Sequence, residues 1–205
     1  MEPYGTLLIV KKEENGFCQR LGRFLSQSGV VAAKDNLILR DCPEGGIEAL
    51  ESGGLLLPLL AIVDTLLPPT QVAAEEINRC MRAYCQLQDK LMGLPRVGEG
   101  VESRVITQSR DQLYSLERSA QDSFDREGGV TFLNQWWQGA KDKERRLPQP
   151  GAILILSPEE DHPTLGAKAI AAAKCLTPHV AYLESPLPTG LILRTLASLD
   201  ETKYQ

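Results

Sequence analysis

Polar and titratable residues follow three apolar runs that are typical of buried β-strands. Asp64 comes directly after the run Leu59–Val63, and the other residues follow the runs Ala152–Leu156 and Val180–Leu183. Together these strand-end residues are Asp64, Ser157, Asp161, His162 and Glu184. Ligands of open α/β sheets bind outside the carboxyl ends of the strands. We therefore expect the five residues to share one rim of a sheet.

Two kinds of chemistry suit these residue types. The carboxylates Asp64, Asp161 and Glu184 offer the oxygen ligands that hard cations prefer, and His162 has a side chain that transfers protons near neutral pH. The same residues also fit structural roles. Asp161 is suited to cap the helix that Pro163 begins, and acidic residues in a first helical turn favour the helix dipole. We prefer the structural interpretation and predict neither a metal nor a cofactor.

The sequence contains none of the common cofactor or nucleophile motifs. It has no GxxxxGK[ST] or GxGxxG phosphate loop and no GxSxG elbow. An odd number of cysteines without CxxC spacing predicts free thiols in a reducing, cytoplasmic compartment. These cysteines are Cys18, Cys42, Cys80, Cys85 and Cys175. A Cys–His enzyme would have to pair His162 with Cys18, Cys42 or Cys175, and no spacing specifies such a pair.

Charge and hydropathy argue against two classes of partner. The net charge is −5, whereas a nucleic-acid-binding domain normally carries a basic footprint. The longest apolar stretch, Leu55–Val63, is interrupted by Pro58 and is far shorter than the roughly 20 residues of a membrane-spanning helix. We expect neither nucleic acid nor a membrane as the partner.

The elements that position the rim alternate between strands and helices at both ends of the chain. Apolar runs at 6–10, 30–33, 37–40, 59–63, 152–156 and 180–183 predict strands. Helical spacing is found after residue 16, at 47–50, after Thr70, after Pro163 and at 188–199. This order predicts an α/β fold with an open, mostly parallel sheet flanked by helices. Residues 30–40 are consistent with either an antiparallel hairpin or one kinked strand.

The middle of the chain differs in composition from both ends. Residues 102–146 contain eight basic and eight acidic residues and both tryptophans of the chain. Two amphipathic stretches there, separated by Gly128 and Gly129, predict a charged helical hairpin inserted into a single domain over 1–205. Because tryptophan is enriched at interface hot spots, we expect Phe132, Trp136 and Trp137 to form the partner-binding part of the hairpin, with one tryptophan packing inward and its neighbour covering a partner surface.

These observations favour a non-catalytic protein that binds another protein, or a second copy of itself, through the hairpin on an α/β scaffold. The alternative is an enzyme or a binder of a small anionic ligand, with its site at the carboxyl ends of the strands. The two hypotheses assign function to different residues, the aromatic residues of the hairpin or the strand-end rim.

Overall fold

The computed structural model describes residues 3–12, 16–32, 36–92, 111–116, 118, 127–158, 163–185 and 189–201. Strands and helices alternate along these residues. The strands are β1 (Thr6–Val10), β2 (Leu37–Arg40), β3 (Leu59–Asp64), β4 (Ala152–Pro158) and β5 (Val180–Ser185). The helices are α1 (Phe17–Gln27), α2 (Pro43–Glu51), α3 (Gln71–Met92), α4 (Gly128–Lys141), α5 (Pro163–Leu176) and α6 (Thr189–Glu201).

The five strands form one sheet in the order β2-β1-β3-β4-β5, and every pairing is parallel. All residues of β1 and β3 are buried, in agreement with their apolar sequences. A strand that is apolar at every position has to be covered on both faces, and this is the usual environment of a parallel strand. The predicted α/β fold with an open parallel sheet flanked by helices is confirmed.

Each face of the sheet has its own core, because alternate side chains of a strand point to opposite faces. On one face, Ile9 and Ile62 pack with residues of α1 and α6. On the other face, Val10 and Val63 pack with residues of α2, α4 and α5. The chain therefore crosses from β1 to β2 on one face and returns from β2 to β3 on the opposite face.

Residues 30–40 do not form a hairpin. Val31 makes an isolated parallel bridge to Tyr4, and further along the chain Leu37 pairs in parallel with Leu7. Both segments therefore run parallel to residues 4–7 of the chain, so the antiparallel hairpin is wrong. The kinked-strand interpretation is closer, although only residues 37–40 form a strand.

Helix α2 is longer than the short helix predicted at 47–50. It begins at Pro43, and the Sγ of Cys42 accepts a hydrogen bond from the N–H of Gly45 at 3.5 Å. Proline is favoured at a first helical position because its missing N–H is not needed there. The Cys42-Pro43 start signal was overlooked in the sequence.

The predicted hairpin at 102–146 falls partly outside the described residues, and the described part does not confirm it. Helix α4 packs on the sheet and on α5, with Phe132, Leu133 and Trp136 in the core. Residues 111–116 are helical, and Leu116 packs instead against Ile77 and Cys80 of α3. No helix among the described residues combines the length and the apolar character that crossing a membrane requires.

Candidate functional site

The strand order reverses between β1 and β3, and we refer to the carboxyl edge of the sheet at this point as the crevice. The chain leaves β1 toward β2 on one side, and it leaves β3 toward β4 on the other. Such a reversal is the position where open α/β sheets bind ligands, because the connections on either side diverge and leave room between them. The residues that directly follow or end these two strands are Lys11 and Asp64.

Lys11 and Asp64 form an ion pair across this crevice. The Nζ of Lys11 lies 2.5 Å from Oδ2 of Asp64, and the side chains are only 17% and 8% exposed. The Nζ of Lys11 also lies 5.8 Å from the ring centre of Phe17, the first residue of α1. The backbone N–H of Leu66 donates to Oδ1 of Asp64 at 3.0 Å. Both carboxylate oxygens of Asp64 are thus held in a fixed orientation.

A second polar pair, Thr65 and Ser157, lies one residue beyond Asp64 along β3 and faces the opposite side of the sheet. The hydroxyl of Thr65 donates to Oγ of Ser157 at 3.1 Å, and both residues are fully buried. The N–H of Thr65 donates to the carbonyl of Leu156 at 2.9 Å, which extends the β3–β4 ladder past Asp64. Because side chains alternate along a strand, the Lys11–Asp64 pair faces α1 and the Thr65–Ser157 pair faces α4.

The beginning of α4 packs directly on this rim. A Cβ added to Gly129 would lie 2.2 Å from the carbonyl oxygen of Asp64, and one added to Gly128 would lie 2.8 Å from Cβ of Leu67. The N–H of Gly129 donates to the carbonyl of Thr65 at 3.0 Å. Only glycine permits this approach, so the glycine pair fixes the loop that follows Asp64.

Glu184 belongs to the same rim but not to the ion pair. It is exposed and stands opposite Ser157 in the β4–β5 register. Glu184 lies two strands from Asp64, and with strands about 4.8 Å apart this places the two backbones roughly 10 Å from each other. Asp161 and His162 lie outside the described residues. The described part of the chain contains no group of three or more His, Cys, Asp or Glu that could hold a metal ion.

The aromatic residues expected to bind a partner occupy different environments. Phe132 and Trp136 are fully buried, with ring centres 5.6 Å apart, and the indole N–H of Trp136 donates to the carbonyl of Pro148. Trp137 is half-buried, and the Nζ of Lys141 stands 3.8 Å from its ring centre. Two of the three side chains therefore contribute to the core, and Trp137 retains an accessible surface.

The candidate cysteine nucleophiles differ in accessibility. Cys18 and Cys42 are buried, whereas Cys175 is exposed on α5. Burial raises the pKa of the Cys42 thiol above its ordinary value of 9.0, and the acidic neighbours Asp41 and Glu44 add to this effect. Because the thiolate is the nucleophilic form, this shift disfavours Cys42 as a nucleophile near neutral pH.

Sequence reasoning overlooked Lys11 and Thr65, although the rule that identified Asp64 applies to both. Lys11 directly follows the apolar run Thr6–Val10, and Thr65 follows Asp64.

Comparisons with protein-family models, with curated proteins and with solved structures find nothing that matches this chain. The functional argument therefore depends on the site alone.

Proposed function

We propose that this chain binds a small anionic ligand in the crevice between β1 and β3. The observation that carries the proposal is the nearly buried Lys11–Asp64 ion pair, which joins the ends of the two strands where the sheet order reverses. This is the second of the two hypotheses that the sequence left open.

The ion pair is not required to hold the two strands together. β1 and β3 are already paired along five residues and buried on both faces. Removing two charges from water costs several kcal/mol per ion, and an apolar pair of similar volume is often at least as stabilising. A nearly buried charged pair at the position where open α/β sheets bind ligands therefore supports a functional role.

The chemistry of the pair defines the class of ligand. The ammonium of Lys11 receives a carboxylate or phosphate group, and this frees the Asp64 carboxylate to accept a hydrogen bond from a donor on the same ligand. The ligand is therefore a small anion that also carries a hydroxyl or amino group. Hydroxy acids, amino acids and sugar phosphates share this pattern.

A thermal-shift panel of such compounds tests the proposal. A ligand at a hundredfold excess over its dissociation constant stabilises the folded state by about 2.7 kcal/mol. For a chain of this size that is roughly 5–10 °C in Tm. The matched control is Lys11→Met, which keeps the aliphatic length and removes the charge. An increase in Tm that is lost in this variant supports the proposal, whereas equal increases in both proteins, or none with any compound, would refute it.

Assembly with another protein or a second copy is the other candidate. It is supported by the small cluster of Ile77, Cys80 and Leu116, which joins α3 to residues 111–116 apart from the two cores of the sheet. Among the described residues, Trp137 and the 70% exposed Tyr114 are two aromatic groups with surface available for such a contact. Light scattering of wild type and Trp137→Ala tests this candidate. An oligomer that is lost in the variant supports it, and a monomer at all concentrations argues against self-association.

A further inference from the structure

The edge strand β2 and helix α1 enclose a narrow cleft on the surface. The cleft has a volume of about 200 Å³ and is lined by Gln19, Gly22, Arg23 and Leu37. A Cβ added to Gly22 would lie 2.4 Å from a methyl carbon of Leu37, so the glycine allows the helix to approach the strand closely. Leu37 remains half-exposed and forms an apolar floor.

The outer edge of β2 presents backbone groups beside this cleft. The carbonyl of Arg40 accepts a hydrogen bond from the N–H of Lys11 at 2.9 Å, so it faces β1. Backbone groups of successive residues in a strand point to alternate sides. Leu37 and Leu39 therefore direct their N–H and C=O groups outward. An edge of this kind is a template for pairing with another extended chain.

The α1 side of this edge carries basic residues, although the whole protein is acidic. Residues 16–32 include Arg20 and Arg23 and no acidic residue, although the chain has a net charge of −5. Arg23 lines the cleft on the α1 side. Arg40 lies on the α2 side of the strand. A Cβ added to Gly45 of α2 would lie 3.0 Å from the Cδ of Arg40. An added strand with acidic side chains on the α1 face would meet Arg23, and on the α2 face it would meet Arg40, which is followed in the chain by the acidic residues Asp41 and Glu44.

We propose that an extended acidic segment of a partner protein binds here by adding a strand to β2. Its backbone pairs with Leu37 and Leu39, and its carboxylates contact Arg23 and Arg40. In the structure the Nη1 of Arg40 donates to the carbonyl of Leu39 at 2.7 Å. The guanidinium thus covers the edge until an acidic strand displaces it, which disfavours pairing with chains that lack negative charge.

Nuclear magnetic resonance with a synthetic peptide tests this proposal. The probe is Glu-Val-Glu-Ile-Asp-Val-Glu, and its counterpart has lysine at the acidic positions. We expect the acidic peptide alone to shift the amide signals of Leu37 and Leu39. Arg23→Glu should weaken binding by about 1.5-fold to fivefold, the range expected for exposed charge pairs. The matched control is Arg194→Glu on α6, an exposed arginine on the same face of the sheet, which should leave binding unchanged.

Three results would overturn the proposal. These are no response of Leu37 and Leu39 to the acidic peptide, equally tight binding of the lysine peptide, and an unchanged affinity of Arg23→Glu. Concentration-dependent shifts of the same amides without any peptide would assign the edge to a second copy instead. None of these readouts depends on the ligand proposed for the crevice between β1 and β3.

Discussion

Removing one charge from the Lys11–Asp64 pair should destabilise the protein much more than removing both. Lys11→Met removes the ammonium that lies against the Asp64 carboxylate, whose side chain is only 8% exposed. Breaking a fully buried pair in this way costs about 3–5 kcal/mol. Because Lys11 is 17% exposed and water can partly replace it, we expect about 1–3 kcal/mol here.

The double variant Lys11→Met/Asp64→Asn should recover most of this loss. Asparagine keeps an oxygen in the position that accepts from the N–H of Leu66, so the local turn is preserved. The coupling free energy between the two sites should be about 1–3 kcal/mol. Urea unfolding followed by circular dichroism at neutral pH measures all four proteins of this cycle.

An exposed ion pair supplies the control for this cycle. The Nζ of Lys168 lies 2.5 Å from the carboxylate of Glu127, with side chains 55% and 54% exposed. Lys168→Met should change the free energy of unfolding by less than about 1 kcal/mol. If Lys11→Met has no larger effect than Lys168→Met, and the cycle shows no coupling, the crevice pair is a solvated surface contact and the argument fails.

Three further predictions concern the surroundings of the site. Gly129→Ala should cost about 1–3 kcal/mol, measured by thermal unfolding, because the new methyl group overlaps the Asp64 carbonyl; an unchanged Tm would contradict this packing. Trp136→Ala should cost about 3–5 kcal/mol, whereas Trp137→Ala should cost less than about 1 kcal/mol; equal losses in urea unfolding would contradict the different burial of the two rings. The pKa of the Cys42 thiol is raised in the folded state. The stability that the buried, protonated thiol contributes is therefore fully present below pH 9.0. This contribution is lost as the pH rises further, at up to about 1.4 kcal/mol per pH unit. The stability difference between wild type and Cys42→Ala should therefore fall above pH 9, and a constant difference would refute the shift.

The fold class could be predicted because the strands are apolar throughout and alternate with helices. The strand order could not be predicted, because alternation alone does not determine which side of β1 receives β3. The sequence also left open whether residues 30–40 form a hairpin or one kinked strand. Only the parallel partners of Val31 and Leu37 decide between a hairpin and a kinked strand.

The candidate site could be predicted in part. The strand-end rule identified Asp64, Ser157 and Glu184, but it did not reveal that Lys11 would pair with Asp64. That contact depends on β1 and β3 being neighbours, which is a property of the strand order. The burial of Trp136 follows from its helical spacing with Phe132, since residues four apart share one face of a helix.

The most direct test of the ligand proposal locates a small anion on the protein. Amide signals of wild type and Lys11→Met would be recorded during a titration with glucose 6-phosphate and, separately, with serine. These probes combine a phosphate or carboxylate with hydroxyl or amino donors. We predict saturable shifts confined to Lys11, Asp64, Leu66 and their neighbours for at least one probe, and loss of these shifts in the variant. Shifts that are absent, that lie elsewhere on the surface, or that persist in Lys11→Met would contradict a ligand site between β1 and β3.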